Sequence, residues 1–337
     1  MRLGLIGYTN LNSGIGIFIW EFFHYLDGDS ILSVHSTKGI QQVWTDRQIT
    51  VGRPPNNAVV EKYLDVFKPD VIMFIETPFN ENVLPLASAR GVKIVGIPMH
   101  ETGSLSRMGA HLYICPCPSA WDKTWNITER KLMFLPIGLE LFPFKERTGH
   151  TFVFNIGYGG PYDRRQGEVV IAAFRALEDP NARMIVNSQV NFPGRQNDPR
   201  IEYRLQNFPE PKGGYDDGDI AILPMAYGGY ERPILEAMAC GLPCLTTDAD
   251  PMNLFQHDPD FLIKPCSSIL LSRDWVYETY YNAVSVEDLK AKMEWLLIID
   301  TAKYSHRARR QAEAQSWESK EIDYKSLWMK TLEDMCF

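Results

Sequence analysis

The sequence predicts an α/β protein built from two doubly wound domains. Three observations point there. Short, wholly apolar runs alternate with amphipathic stretches along nearly the whole chain, the pattern of parallel strands covered on both faces by helices. The runs fall into two sets, one on each side of Pro143–His150. The length, 337 residues, exceeds one ordinary core at roughly 150 residues per domain.

The first set of strands is Leu3–Gly7, Val71–Ile75, Lys93–Ile97, Leu112–Cys115 and Leu132–Leu135, with helical periodicity over Gly16–Leu26 and Val59–Phe67. The polar stretch Lys145–Gly149 is read as the linker, which places the domains at 1–146 and 147–315. The second set is Thr151–Ile156, Arg183–Asn187, Ile220–Leu223 and Cys244–Thr247, with a helix over Glu168–Leu177. Hydrophobic residues at 45% and charged residues at 23% fit a globular chain and exclude a disordered or coiled-coil one. No run approaches the roughly 20 apolar residues of a membrane span, and the first residues lack the layout of a signal peptide. Six cysteines without a secretory signal lead us to expect reduced thiols and a cytoplasmic location. A net charge of −8 disfavours gripping nucleic-acid phosphate as the main task.

Doubly wound sheets bind ligands beyond the carboxyl ends of their strands, so the strand-to-helix loops carry the functional signal. Leu3–Gly7 is followed by Tyr8–Gly16, in which Ser13 caps a helix and Gly14 and Gly16 let a phosphate approach exposed amides. Neither the GxGxxG dinucleotide fingerprint nor a Walker lysine is present, which weakens an oxidoreductase reading.

Leu223–Pro243 is the most informative stretch. Gly228 and Gly229 allow a tight loop, Pro233 suits a helix start, and Gly241 with Pro243 stop that helix. The helix is apolar except for Glu236. A carboxylate there either faces water or accepts hydrogen bonds from a specific partner, since burial unpaired costs several kcal/mol. A pair of sugar hydroxyls suits an acceptor-only group. With phosphate on the loop amides, the segment describes a site for a nucleoside diphosphate.

Pro233, Glu236-Ala-Met-Ala, Gly241 and Pro243 match the pattern E-G-F-G-x-P-x-x-E-A-M-A-x-G-x-P, and the chain resembles the retaining GT-B glycosyltransferases of family 4, the glycogen-synthase-like group. Further landmarks follow in order: Lys68-Pro-Asp-Val-Ile, Val92–His100, Ser119, Leu135–Glu140, Asn155-Ile-Gly157 and Asp163–Phe174. The resemblance implies two Rossmann-like domains facing across a cleft, with a C-terminal helix, 316–337, crossing back to the first domain from Ala312–Trp317 onward.

The resemblance also implies the site. Glu236 holds the donor ribose. Arg165 stands at the position of the diphosphate-binding lysine, with Arg164 beside it, and His100 touches the transferred sugar. The first family glutamate maps to Gly228, a departure; Gly229 and Tyr230 keep the glycine–aromatic pair, while Glu231 and Arg232 replace small and apolar residues. Glu231 either supplies the missing carboxylate from a shifted position or lies on the surface. The arginine usual after the first strand of the second domain is Tyr158 here.

The implied activity moves a sugar from a nucleotide-diphosphate sugar, UDP- or GDP-linked, to an unidentified acceptor with retention. Arg164, Arg165 and the amides near Gly229, Gly14 and Gly16 neutralise the leaving group without a metal, and no other cofactor is expected. Gly228 and Tyr158 keep open a non-catalytic binding protein on the same fold. The acceptor class and a homo-oligomer are both left open, and no firm membrane attachment is expected. Cys115-Pro-Cys117 and Asp248-Ala-Asp250 are read as decoys, and the aromatic run Trp275–Tyr281 as packing.

Overall fold

The computed structural model describes residues 1–36, 39–99, 110–117, 131–157, 164–191, 197–208, 211–273 and 276–336. His100, Ser119, Tyr158 and Asp163 lie outside them. The chain divides into two compact units: Met1–Glu140 with Arg273–Tyr277 and Ser319–Phe337, and Leu141–Ser272 with Glu278–Glu318.

The first unit is a parallel sheet of β1 (Leu3–Gly7), β2 (Ser30–Val34), β3 (Gln48–Val51), β4 (Val71–Ile75), β5 (Lys93–Ile97), β6 (Leu112–Cys115) and β7 (Lys131–Phe134). Its strand order is β3-β2-β1-β4-β5-β6-β7. The central strands are buried throughout, which is why they read as continuous apolar runs rather than alternating ones. β2 and β3 escape the sequence reading because serines interrupt the first and Gln48 and Thr50 the second. Ser30 instead lies in the core, 3.1 Å from the Tyr63 hydroxyl.

Helix α1 (Gly14–Tyr25) buries Ile17, Phe18, Ile19 and Phe22, and α2 (Asn57–Phe67) buries Val60, Tyr63 and Leu64. The helix Tyr324–Asp334 also belongs to this unit. Its buried stripe is Tyr324, Trp328 and Leu332, one residue per turn. Trp328 lies 5.0 Å from the Phe22 ring and donates its Nε1–H to Pro136 O at 2.8 Å. Ala312–Trp317, where the sequence reading started the closing helix, is instead the end of the helix Thr301–Ala314 and the turn after it, in the second unit.

The second unit holds β8 (Phe152–Gly157), β9 (Met184–Ser188), β10 (Ile201–Leu205), β11 (Ile220–Leu223), β12 (Cys244–Thr247) and β13 (Leu262–Ile263). Their order is β10-β9-β8-β11-β12-β13, all parallel. A separate hairpin joins β14 (Ser267–Arg273) and β15 (Val276–Ala283), and the aromatic run read as packing lies on β15 from Val276 onward. Lys145–Gly149 is no free linker. Arg147 is 2% exposed and donates to Cys240 O, Asp216 O and Gly218 O of the second unit. A polar stretch looks like a linker in sequence because its acceptors, backbone carbonyls, have no residue letter.

Both sheets follow the doubly wound order, which places a topological switch point between β1 and β4 in one unit and between β8 and β11 in the other.

Candidate functional site

At the second unit's switch point, the segment before the helix Gly167–Arg175 meets the loop after β11. Arg164 O accepts Ala226 N–H at 2.6 Å. Gln166, 3% exposed and left-handed at φ 55°, donates its amide to Pro224 O at 2.7 Å and Asn282 O at 3.1 Å, and accepts Val284 N–H at 2.9 Å. Asn282 in turn donates to Ala226 O from both its backbone and its side chain. These bonds fix the backbone that carries Arg164 and Arg165. Both side chains are half-buried.

Arg165 donates Nη1–H to Asn155 O on β8 and lies over Gly157 at the strand's carboxyl end. Gly157 has φ +65°, a conformation only glycine adopts without strain. Asn187 on β9 donates to Asn155 Oδ1 at 2.8 Å and to Gly214 O at 2.9 Å. The buried Tyr215 hydroxyl donates to Pro233 O at 3.2 Å. Burial pushes the Tyr215 phenol well above its usual value; the Glu236 charge adds to the rise and Arg165 opposes it. Tyr215 thus stands against the first turn of the helix that carries Glu236.

The helix Arg232–Ala239 begins at the glycine loop, with Pro233 in its first turn. Glu236 is 6% exposed. It does not face water: Arg232, 3% exposed, donates Nε–H to Glu236 Oε1 at 3.1 Å. The i,i+4 spacing on a helix is the sequence signal for that pair. Glu231 precedes the helix and is 3% exposed, so the surface alternative does not hold. A side-chain carbon at Gly228 would collide with the Glu231 carboxylate oxygen Oε1. The carboxylate thus fills the space into which a side chain at 228 would grow. Gly229 is buried, and the Tyr230 ring packs edge-on against Phe255 at 4.8 Å.

In the first unit the two loop glycines differ. Ser13 caps α1 and accepts Gly16 N–H at 3.2 Å. A Cβ at Gly16 would strike Asn10 O, whereas Gly14 is exposed with open space around its Cα. Gly16 therefore serves packing, with its amide used by Ser13, and Gly14 is the one open to close approach. On the adjoining strand end, Glu76 and Phe79 follow β4 with φ 62° and 60°, and Phe79 lies 5.2 Å from the Tyr8 ring.

Gln166, Asn155 and Asn187 were missed by sequence reasoning. The two asparagines had a signal, a lone amide in each apolar strand; Gln166 had none, because its acceptors are carbonyls from two distant loops. Of the decoys, Cys115 is a buried free thiol donating to Cys117 O at 2.8 Å, its pKa pushed up to about 11 by burial. Among the described residues no helix is long and apolar enough to cross a membrane.

Residues 164–271 match the family described as Glycosyl transferases group 1. No curated protein matches the chain. Solved structures with the same fold include sucrose-phosphate synthase from Thermosynechococcus elongatus, at 12% identity and TM-score 0.68, covering 99% of this chain and 100% of that one. HepE from Anabaena, in complex with UDP and glucose, is 12% identical with TM-score 0.69 and 99% of each chain covered. A glycosyltransferase from Rickettsia africae is 10% identical, with TM-score 0.62 and coverage of 99% and 98%. The fold is GT-B.

Proposed function

We propose, on the premise that a chain with a glycosyl transferases group 1 domain in a GT-B fold is a glycosyltransferase, that this one moves a sugar from a nucleoside-diphosphate sugar to an acceptor with retention. The observation that carries the catalytic reading is the Glu231 carboxylate lodged where a side chain at Gly228 would stand. In the family pattern a glutamate occupies that position. A carboxylate beside a diphosphate cannot neutralise it and can only accept hydrogen bonds, so Glu231 holds hydroxyls of the transferred sugar. That HepE was crystallised with UDP and glucose supports a nucleotide-sugar donor here.

The division of labour follows from charge. As the sugar–phosphate bond breaks, negative charge grows on the diphosphate, and donors fixed in advance stabilise it. Arg164 and Arg165 supply those donors and their charge, so the reading needs no metal. Arginine forks two phosphate oxygens where lysine would offer a point charge. The held backbone around Gln166 means that little reorganisation accompanies the reaction. Glu236 accepts from the ribose, the amides near Gly229 face the phosphates, and the family resemblance assigns His100 to the transferred sugar. The acceptor hydroxyl attacks the face that the diphosphate leaves, so no covalent intermediate is needed.

The test is turnover of UDP-, GDP-, ADP- and CDP-sugars, following nucleotide release with and without EDTA. Glu231→Gln should lower turnover about 10- to 100-fold while leaving nucleotide affinity within about twofold, the loss of a hydrogen bond to a charged group being roughly 1.5–3 kcal/mol. Tight nucleotide binding with no turnover for any sugar would instead support the non-catalytic reading.

A further inference from the structure

The pair formed by Arg232 and Glu236 is more than a structural ion pair. Both side chains are at least nine-tenths buried, at 4% and 9% exposure, and Nε donates to Oε1 at 3.1 Å. Such a pair is a weak source of stability, because the desolvation of two charges offsets most of their attraction. Arg232 also opens its helix, where the helix dipole disfavours a cation. Two unfavourable placements at one residue point to a task that an apolar pair could not perform.

Geometry supplies the task. Glu236 sits among Ile234, Leu235, Ala237, Met238 and Ala239, all buried, so its own helix offers no other side-chain donor. The planar guanidinium fixes one carboxylate oxygen. Rotation of the acid about its last torsion, which is otherwise broad, is thereby restricted. Tyr215 holds Pro233 O from outside the helix at 3.2 Å, so the turn bearing both residues is itself anchored. A carboxylate held in this way presents lone pairs in a set direction, which suits two donors at a fixed separation. The vicinal hydroxyls of a ribose are such a pair; a 2′-deoxyribose presents one.

We infer that Arg232 is a positioning residue that aligns Glu236 for the vicinal diol of a ribose, and that the chain selects ribonucleoside over 2′-deoxyribonucleoside diphosphates through this pair. The inference rests on the donor-site reading above and deepens it.

Calorimetric titration of UDP, GDP, ADP and CDP, each against its 2′-deoxy counterpart, tests it. The unaltered chain should bind its preferred ribonucleotide at least about tenfold more tightly than the deoxy form. Arg232→Gln should bring that ratio to within about twofold while the deoxy form keeps most of its affinity, and Glu236→Gln should do the same. Equal loss of both ligands in Arg232→Gln, or an unchanged ratio, would show a merely structural role and overturn the inference. Should Arg232→Gln fail to fold, Arg232→Lys keeps the charge without the Nε fork and is read by the same ratio. Absence of binding by all eight nucleotides to the unaltered chain would overturn the donor-site reading itself, a result distinct from binding with an unchanged ratio.

Discussion

At the scale of single residues, the site is organised by side chains that replace one another. Gly228 and Glu231 share one space, so their effects should not add. Gly228→Ala alone forces a methyl against the Glu231 carboxylate and should destabilise by about 1–3 kcal/mol. In a Glu231→Gly background the same change should cost much less; a thermal-melting cycle of the four proteins reads the coupling, and strict additivity would contradict the shared space. His111 offers a pH handle away from the site. Its Nδ1 accepts Ile94 N–H at 2.9 Å, and burial, with help from Lys93, lowers its pKa below the usual 6.5. A lowered histidine binds fewer protons folded than unfolded, so stability rises with pH. This contribution is present above about 6.5 and is lost as pH falls through the lowered value. Denaturant midpoints taken between pH 7.5 and 5 should fall more in the unaltered chain than in His111→Gln.

At the scale of elements, the first loop and α1 form one device whose two glycines are not interchangeable. Gly16→Ala drives a methyl into Asn10 O, a backbone atom that cannot swing away, and should lower the melting point through a loss of about 1–3 kcal/mol. Gly14→Ala meets open space and should be neutral to slightly stabilising, since alanine favours a helix by up to about 1 kcal/mol over glycine. In the second unit, Gln166 and Glu231 stand just before the helices Gly167–Arg175 and Arg232–Ala239, and Gln166 ties the first of these starts to the loop after β11.

At the scale of the whole molecule, each unit has its own buried anchor. Trp328 is fully buried in the first, and Trp328→Ala should cost about 3–5 kcal/mol, read as faster amide exchange over β1 and α1. Arg147 anchors the second by three carbonyl groups. Replacing it by methionine orphans them and should accelerate exchange over β11 and the helix Arg232–Ala239. Swapped patterns of exchange would contradict the assignment of these residues to their units. With two such cores, each melting comparison above is read on the transition of the unit that carries the substitution.

The residues alone carry the class of fold and most of the central strands. Val71–Ile75, Lys93–Ile97, Ile220–Leu223 and Cys244–Thr247 stand where the apolar runs placed them, because a strand buried on both faces favours apolar residues at most positions; Lys93 at a strand start and the buried Thr246 and Thr247 are the exceptions. The loop–helix motif around Glu236 is legible in the same way, since proline and glycine act on their own backbone and need no partner to be read. What those residues meet depends on how the chain folds back on itself. The edge strands β3 and β10, and β2 just inside β3, carry polar residues and vanish into the loop background. Glu231 could be placed as buried only once its neighbour's missing side chain had a volume. Arg147 and Gln166 bond to carbonyls that every residue owns alike. Propensity and burial are local and leave a mark in the sequence, whereas hydrogen bonds to a distant main chain depend on the path of the chain and leave none.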